Sequence, residues 1–181
     1  PVSTMGGKCP ASAPVRSYDV SAINVEITLN MWLDFYPGYM YSLTENIDKV
    51  RAEETKNKEA RDKEGYDPGA VMNGLQNQFI QPLVLRGNQG DCVKVTLRNQ
   101  LEGDEEVSLN MVVSATGQPA TTTNPDSIAA KGKAVEMEWY IPPTQQEGSR
   151  QFHSYSNDRE LTVMGLFGSF VIEPKGSEYL E

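Results

Sequence analysis

Short segments in which apolar and polar side chains alternate limit the fold of this chain more than any other feature of its sequence. In INVEITLNM, residues 23–31, Ile23, Val25, Ile27, Leu29 and Met31 alternate with Asn24, Glu26, Thr28 and Asn30. Successive side chains of a strand point to opposite faces, so a period of two predicts a strand with one buried face. The pattern returns in DCVKVTLRN, where Val93, Val95 and Leu97 oppose Lys94, Thr96 and Arg98, and again in VSLNMVV and AVEMEWYI. Turn formers separate these runs, notably Gly-Asn-Gln-Gly-Asp at 87–91 and the segment from Gly117 to Asp126. Short strands joined by such loops predict an all-β Greek-key sandwich. Trp32, Trp139, Phe152, Phe167 and Phe170 read as its core. The methionines are dispersed and read mostly as core packing.

One segment departs from the pattern. SLTENIDKVRAEETKNKEARDKEG, residues 42–65, is dense in helix formers and in charges of both signs. Ser42 and Glu45 have capping-box spacing and Gly65 stands where a C-terminal cap belongs. Glu45 with Lys49, Glu54 with Lys58, and Glu59 with Lys63 are spaced for helical ion pairs. The segment reads as a charged helical insertion whose first turns, through Leu43, Ile47 and Val50, pack on the sandwich while the rest is solvated.

With 181 residues the chain is long enough for one cored domain, and its net charge of -9 disfavours nucleic acid, whose phosphates require a basic surface. No run of about 20 apolar residues is present to cross a bilayer as a helix. The first residues, PVSTMGGKCP, suggest a processed terminus, and the final GSEYLE has the character of a linker or tail. Cys9 and Cys92 are too few for a thiolate zinc site. They form one disulfide or stay as two buried thiols. The second reading is favoured, because Cys92 lies in a strand-like run that loop-borne Cys9 would have to reach.

Three pieces then line up in order: PLVLRGNQGDCVKVTLRNQL at 82–101, VSLNMVVS at 107–114, and QFHSYS followed by GLFGSFVIEP at 151–174. Together they resemble the first cupredoxin-like domain of multicopper oxidases, most closely the larger bacterial members, metal-oxidising ones included. In that pattern a strand after a Gly-Asp turn leads to a His-x-His strand. A second His-x-His then precedes a Gly-Leu-Tyr/Phe-Gly turn and a last strand ending in Glu-Pro. The resemblance implies a cupredoxin-like domain over 18–174, an N-terminal extension at 1–17, the helical insertion at about 42–65, and a linker or tail at 175–181.

The resemblance also implies where copper ligands would fall: on Asn110 and Val112 for the first pair, and on His153 and Tyr155 for the second. Imidazole suits copper, whereas valine has no donor, an amide is a poor ligand and neutral tyrosine is weak. Only His153 can ligate. A mononuclear copper site fails as well, since it needs two histidines and a cysteine before the last strand, and the loop offers His153 and Met164. No residue is therefore assigned as catalytic or cofactor-binding. His153 reads as a structural survivor held by local hydrogen bonds, with a shared metal or a pH-sensitive contact as lesser readings. Asn110 and Tyr155 are expected to hydrogen-bond across the former ligand space.

The implied function is that of a copper-free, structural or interface domain of a multicopper oxidase-type protein, with copper on other domains. The alternative is a stand-alone, non-catalytic cupredoxin-like subunit that docks on a partner. The missing ligands argue against catalysis by this chain alone. Expected partners are other cupredoxin-like domains or subunits, and the resemblance points to an extracytoplasmic location, where a disulfide would also be tolerated.

Overall fold

The computed structural model describes residues 5–65, 78–111, 127–156 and 159–179, with only the backbone described at Arg159. Two four-stranded sheets form a sandwich. The first has the order β2 (Phe35–Leu43), β1 (Val15–Thr28), β4 (Cys92–Asn99), β8 (Ala134–Tyr140). The second has the order β3 (Leu83–Asn88), β10 (Phe167–Glu173), β9 (Gly148–His153), β6 (Asn110–Met111). A small ladder joins β5 (Val107–Ser108) to β7 (Ile128–Ala129). β1 runs parallel to β4 and β3 parallel to β10, pairings that no hairpin can make. The chain makes them by crossing between the sheets after β2, after β3, between β4 and β6, between β6 and β8, and after β8, which is Greek-key connectivity.

The interior holds Trp139, Tyr41, Phe152 and Phe170 fully buried with the aliphatic residues of β4. Two aromatic assignments are corrected. Phe167 is 44% exposed, because Gly168, Phe170 and Ile172 take the inward positions of β10 and Phe167 alternates outward. Trp32 is 71% exposed, because β1 stops at Thr28 and a turn follows. In that turn Asn30 Oδ1 accepts from the backbone of Trp32 at 2.9 Å. Leu33, not Trp32, is buried, at the cost of a φ of 66°, where a branched side chain is strained. Leu29 and Met31, read as the end of the buried strand face, are exposed for the same reason.

The glycines of the GLFG turn are required by packing. Gly165 has a φ of +127°, and a Cβ there would lie 2.1 Å from the carbonyl oxygen of Tyr39. At Gly168 a Cβ would lie 2.3 Å from Cζ of Phe152.

The helix α1 (Ile47–Asp62) follows a 3-10 turn at Thr44–Asn46. Ser42 belongs to β2, where it pairs with Ser21 and donates to the carbonyl of Leu43, so the expected capping box does not form. The helix covers the outer side of β1 and β2. Val50 and Ile47 pack on Ile23, Val25, Ile27 and Met40, so the apolar alternation of β1 meets the helix while Val20 and Ala22 face the sandwich core. Docking continues beyond the first turns, and charges carry it. Glu54 accepts the backbone N–H of Glu26 at 2.8 Å and pairs with Arg51 at 2.6 Å. Arg61 reaches Glu26 at 2.8 Å and lies 4.0 Å from the ring centroid of Phe35. Glu53, 1% exposed, accepts the N–H groups of Phe79 and Ile80 at 2.7 and 3.1 Å. Of the charges read as helical pairs, Glu54 and Lys58 turn instead toward the sheet.

Cys9 and Cys92 form a disulfide, with Cα atoms 5.6 Å apart, which corrects the preference for two thiols. The approach is possible because residues 5 and 6 are tied along the end of β8. The N–H of Gly6 donates to the carbonyl of Tyr140 at 3.0 Å, and that of Met5 to Gln145 Oε1 at 2.6 Å. Tyr140 is itself the ladder partner of Cys92. With a sequence separation of 83 the link removes, in the chain-entropy picture, about 4.5 kcal/mol of loop-closure entropy from the unfolded state.

Candidate functional site

The second sheet sets the geometry. β6 pairs with β9 so that Asn110 stands directly opposite His153, and β9 pairs with β10 so that His153 stands opposite Phe167. Two of the four family ligand positions are thus cross-strand neighbours on one outer face. A third joins them, because the rings of His153 and Tyr155 stack with centroids 4.2 Å apart at 32°. Val112 lies outside the described residues. Asn110 thus stands beside His153, and Tyr155 stacks on His153.

Their bonding differs from expectation in part. His153 Nδ1 lies 3.3 Å from the carbonyl of Ser154, so the tautomer that makes this bond carries its proton on Nδ1. The amide oxygen of Asn110 is buried without a hydrogen-bond partner, so it accepts nothing from Tyr155. Tyr155 is 46% exposed, and its backbone N–H donates to Ser108 Oγ at 2.7 Å.

Beneath this face lies a serine network that sequence reasoning missed. Ser154 Oγ accepts from the backbone of Ser108 at 3.2 Å and lies 2.9 Å from Ser156 Oγ. Thr162, on the short helix α2 (Arg159–Val163), donates to the carbonyl of Ser154 at 2.8 Å. Tyr41 donates to the carbonyl of Ser108, and burial pushes its phenol above the ordinary range, so it stays a donor. The alternation His-Ser-Tyr-Ser was the available signal: His153 and Tyr155 point outward while Ser154 and Ser156 point into this network.

Among the described residues one other group has ligand spacing, namely Cys9, Cys92 and Glu138. Its two sulfurs are spent in the disulfide.

A family model described as multicopper oxidase matches residues 56–177, more than half of the chain. The chain belongs to the multicopper oxidase family. Among curated proteins no sequence matches it. Solved structures similar to this multicopper oxidase domain include a multicopper oxidase from Pseudomonas thermotolerans, at 14% identity and a TM-score of 0.51, covering 94% of this chain and 32% of that one. A copper nitrite reductase from Nitrosomonas europaea is similar at 13% identity and a TM-score of 0.53, covering 92% of this chain and 44% of that one. A copper-containing nitrite reductase from Thermus scotoductus SA-01 is similar at 15% identity and a TM-score of 0.54, covering 91% of this chain and 29% of that one. At such identities the likeness is one of fold, and it is the cupredoxin-like sandwich expected from the motifs. The chain spans less than half the length of these three proteins.

The family's copper can be tested against the residues of this multicopper oxidase domain. Copper in such a site is held by several imidazoles, and the chain contains one histidine. The orphaned carbonyl oxygen of Asn110 is a single hard donor opposite that imidazole, and Tyr155 covers the imidazole with its ring face. The donor set at Asn110, His153 and Tyr155 does not fit the group.

Proposed function

We propose that this chain is a cupredoxin-like domain of a multicopper oxidase-type protein that carries no complete copper site of its own. It acts as a structural and interface domain, while copper redox chemistry resides on other domains. The observation that carries this reading is the row Asn110, His153, Phe167 with Tyr155 stacked on the imidazole, where a copper-binding domain needs converging imidazoles. Tyr155 and Phe167 stand exposed on that face, which suits it to contact another cupredoxin-like domain. The working location would be extracytoplasmic, a reading supported by the disulfide, which persists in oxidising compartments.

A copper titration tests the reading. The chain as it stands is expected to bind copper weakly and without a ligand-field signature of several imidazoles. Asn110→His, Val112→His and Tyr155→His together, with His153 retained, are expected to tighten binding by at least about tenfold, which is ~1.4 kcal/mol. Equal affinity of parent and variant would reject the register. Tight stoichiometric binding by the parent would reject the reading itself. The intact mass of the polypeptide in its native source separates the domain from the stand-alone subunit.

A further inference from the structure

We infer that Cys9, Cys92 and Glu138 form a redox-gated site for a zinc-like divalent cation, closed while the disulfide stands and opened when a dithiol reduces it. The two sulfurs and a carboxylate oxygen of Glu138 lie within 4.8 Å of one another. Cys92 belongs to β4 and Glu138 to β8, neighbouring strands of the first sheet, so one ladder holds two of the three groups. Cys92 is fully buried, whereas Cys9 and Glu138 are half-buried and within reach of a reductant and an ion. The carboxylate of Glu138 has no ion pair among the described residues. His153 lies in the other sheet, so this site is separate from the ligand row of the family.

Reduction leaves the thiols together, because the chain is fastened on both sides of Cys9. Before it, Met5 is buried in the core, and Met5 and Gly6 donate to Gln145 and Tyr140. After it, the carbonyl of Pro14 accepts from the N–H of Cys92 at 2.7 Å. Cys9 therefore stays in a short closed loop beside Cys92. In the opening step a thiolate of the dithiol attacks the half-buried Cys9 sulfur, the S–S bond breaks and Cys92 leaves as a thiolate. The second thiol of the reagent then displaces Cys9. The dithiol ends as a cyclic disulfide, and two electrons and two protons pass to the protein. Binding the cation releases those protons, since only thiolates ligate. Two sulfurs at about 2.3 Å from a tetrahedral zinc stand roughly 3.8 Å apart, a separation that rotation of the two side chains supplies. Donor chemistry selects the ion. Thiolates disfavour calcium and magnesium, which take oxygen ligands. The carboxylate, and the three negative charges of the set, favour a divalent ion over monovalent copper. Zinc accepts two sulfurs and one oxygen and keeps its fourth position for water.

Zinc titrated into the intact chain, reduced with dithiothreitol and then freed of it without oxygen, tests the site. One equivalent is expected to bind with a dissociation constant on the order of 1 μM and to release two protons. The oxidised chain should bind at least about a hundredfold more weakly, having no thiolate to offer. Glu138→Gln is expected to weaken binding to the reduced chain about tenfold by removing the charged oxygen. Only the fold brings Glu138 to the cysteines, so an unfolded chain that bound zinc through its thiols alone would show no such loss. Zinc should also raise the melting temperature of the reduced chain, because it binds the folded state. Unchanged affinity in Glu138→Gln, equal affinity of the oxidised chain, or a reduced chain whose melting zinc does not raise would each overturn the assignment.

Discussion

On the outer side of the first sheet, β1 and β2 lie under α1, and their apolar residues Ile23, Val25 and Met40 are sealed by Val50 from the same chain. On the outer side of the second sheet, the row Asn110, His153 and Phe167 lies beside Tyr155, with Tyr155 and Phe167 open to solvent. The sealed face is fastened by buried carboxylates that accept backbone N–H groups, Glu54 from Glu26 and Glu53 from Phe79 and Ile80. These bonds tie the helix to the sheet and to the returning chain, although the second oxygen of Glu53, Oε1, is buried without a hydrogen-bond partner. On the open face the amide oxygen of Asn110 is buried without a hydrogen-bond partner. Among the described residues the domain covers one face with its own helix, whereas Tyr155 and Phe167 stay exposed on the other.

The largest expected effect would break this comparison outright. Val50 is fully buried under the helix, so Val50→Asp places a charge in an apolar seam and should cost about 4 kcal/mol, with loss of helical signal. Tyr155→Asp on the open face should cost no more than about 1 kcal/mol. Urea unfolding of both variants supplies the check. Equal losses would mean that the two faces are not different in kind.

Glu53 sharpens the comparison through pH. Burial holds its carboxyl above the ordinary value of 4.5, against the lowering effect of the Ile80 and Phe79 N–H groups. A folded value above the unfolded one means that the native state holds this proton more tightly. The stabilisation is complete below pH 4.5 and is lost as pH rises through the raised folded value. Glu53→Gln keeps an acceptor and removes the charge, so its stability relative to the parent should rise between pH 4 and pH 7. Glu53→Ala orphans two N–H groups and should cost about 3 kcal/mol at pH 4, and less at pH 7, where the parent has lost the stabilisation from Glu53. A parent-to-Gln difference that does not change with pH would remove the electrostatic part of this account.

The sandwich was legible because period two is a strong local signal, and GLFG because its glycines answer to contacts a Cβ would break. The register of the ligand row followed from the resemblance, and the strand pairing sets Asn110 opposite His153. Other features depended on tertiary partners that local sequence does not name. Trp32 looked like core because nothing in INVEITLNMW announces that the strand ends at Thr28 and that Leu33 turns inward. Ser42 and Glu45 fitted a helix cap, but strand pairing with Ser21 claimed Ser42 first. The lysines and glutamates of α1 had correct spacing for pairs along the helix. A sheet carrying Glu26 offered Lys58 and Arg61 a partner held by the ladder, and Arg51 the carbonyl of Asn24.

The smallest effect concerns that last group. Glu26 is mostly covered, takes Arg61 at 2.8 Å and has Lys58 at 3.9 Å. Replacing it by glutamine keeps its backbone bond to Glu54 and removes one negative charge from among two cations. Partly exposed pairs contribute up to about 1 kcal/mol, and salt screens them over roughly 10 Å at 0.1 M. Glu26→Gln should therefore cost about 1 kcal/mol at low salt and less than half of that at high salt. On the open face Tyr155 meets His153 through a ring stack, so Tyr155→Leu should show a cost that depends less on salt. If both variants respond to salt alike, the helix is held by its apolar seam alone and the charges merely decorate it. If only Glu26→Gln responds, charge registers the helix on the sheet, which explains how so polar a segment docks along its whole length.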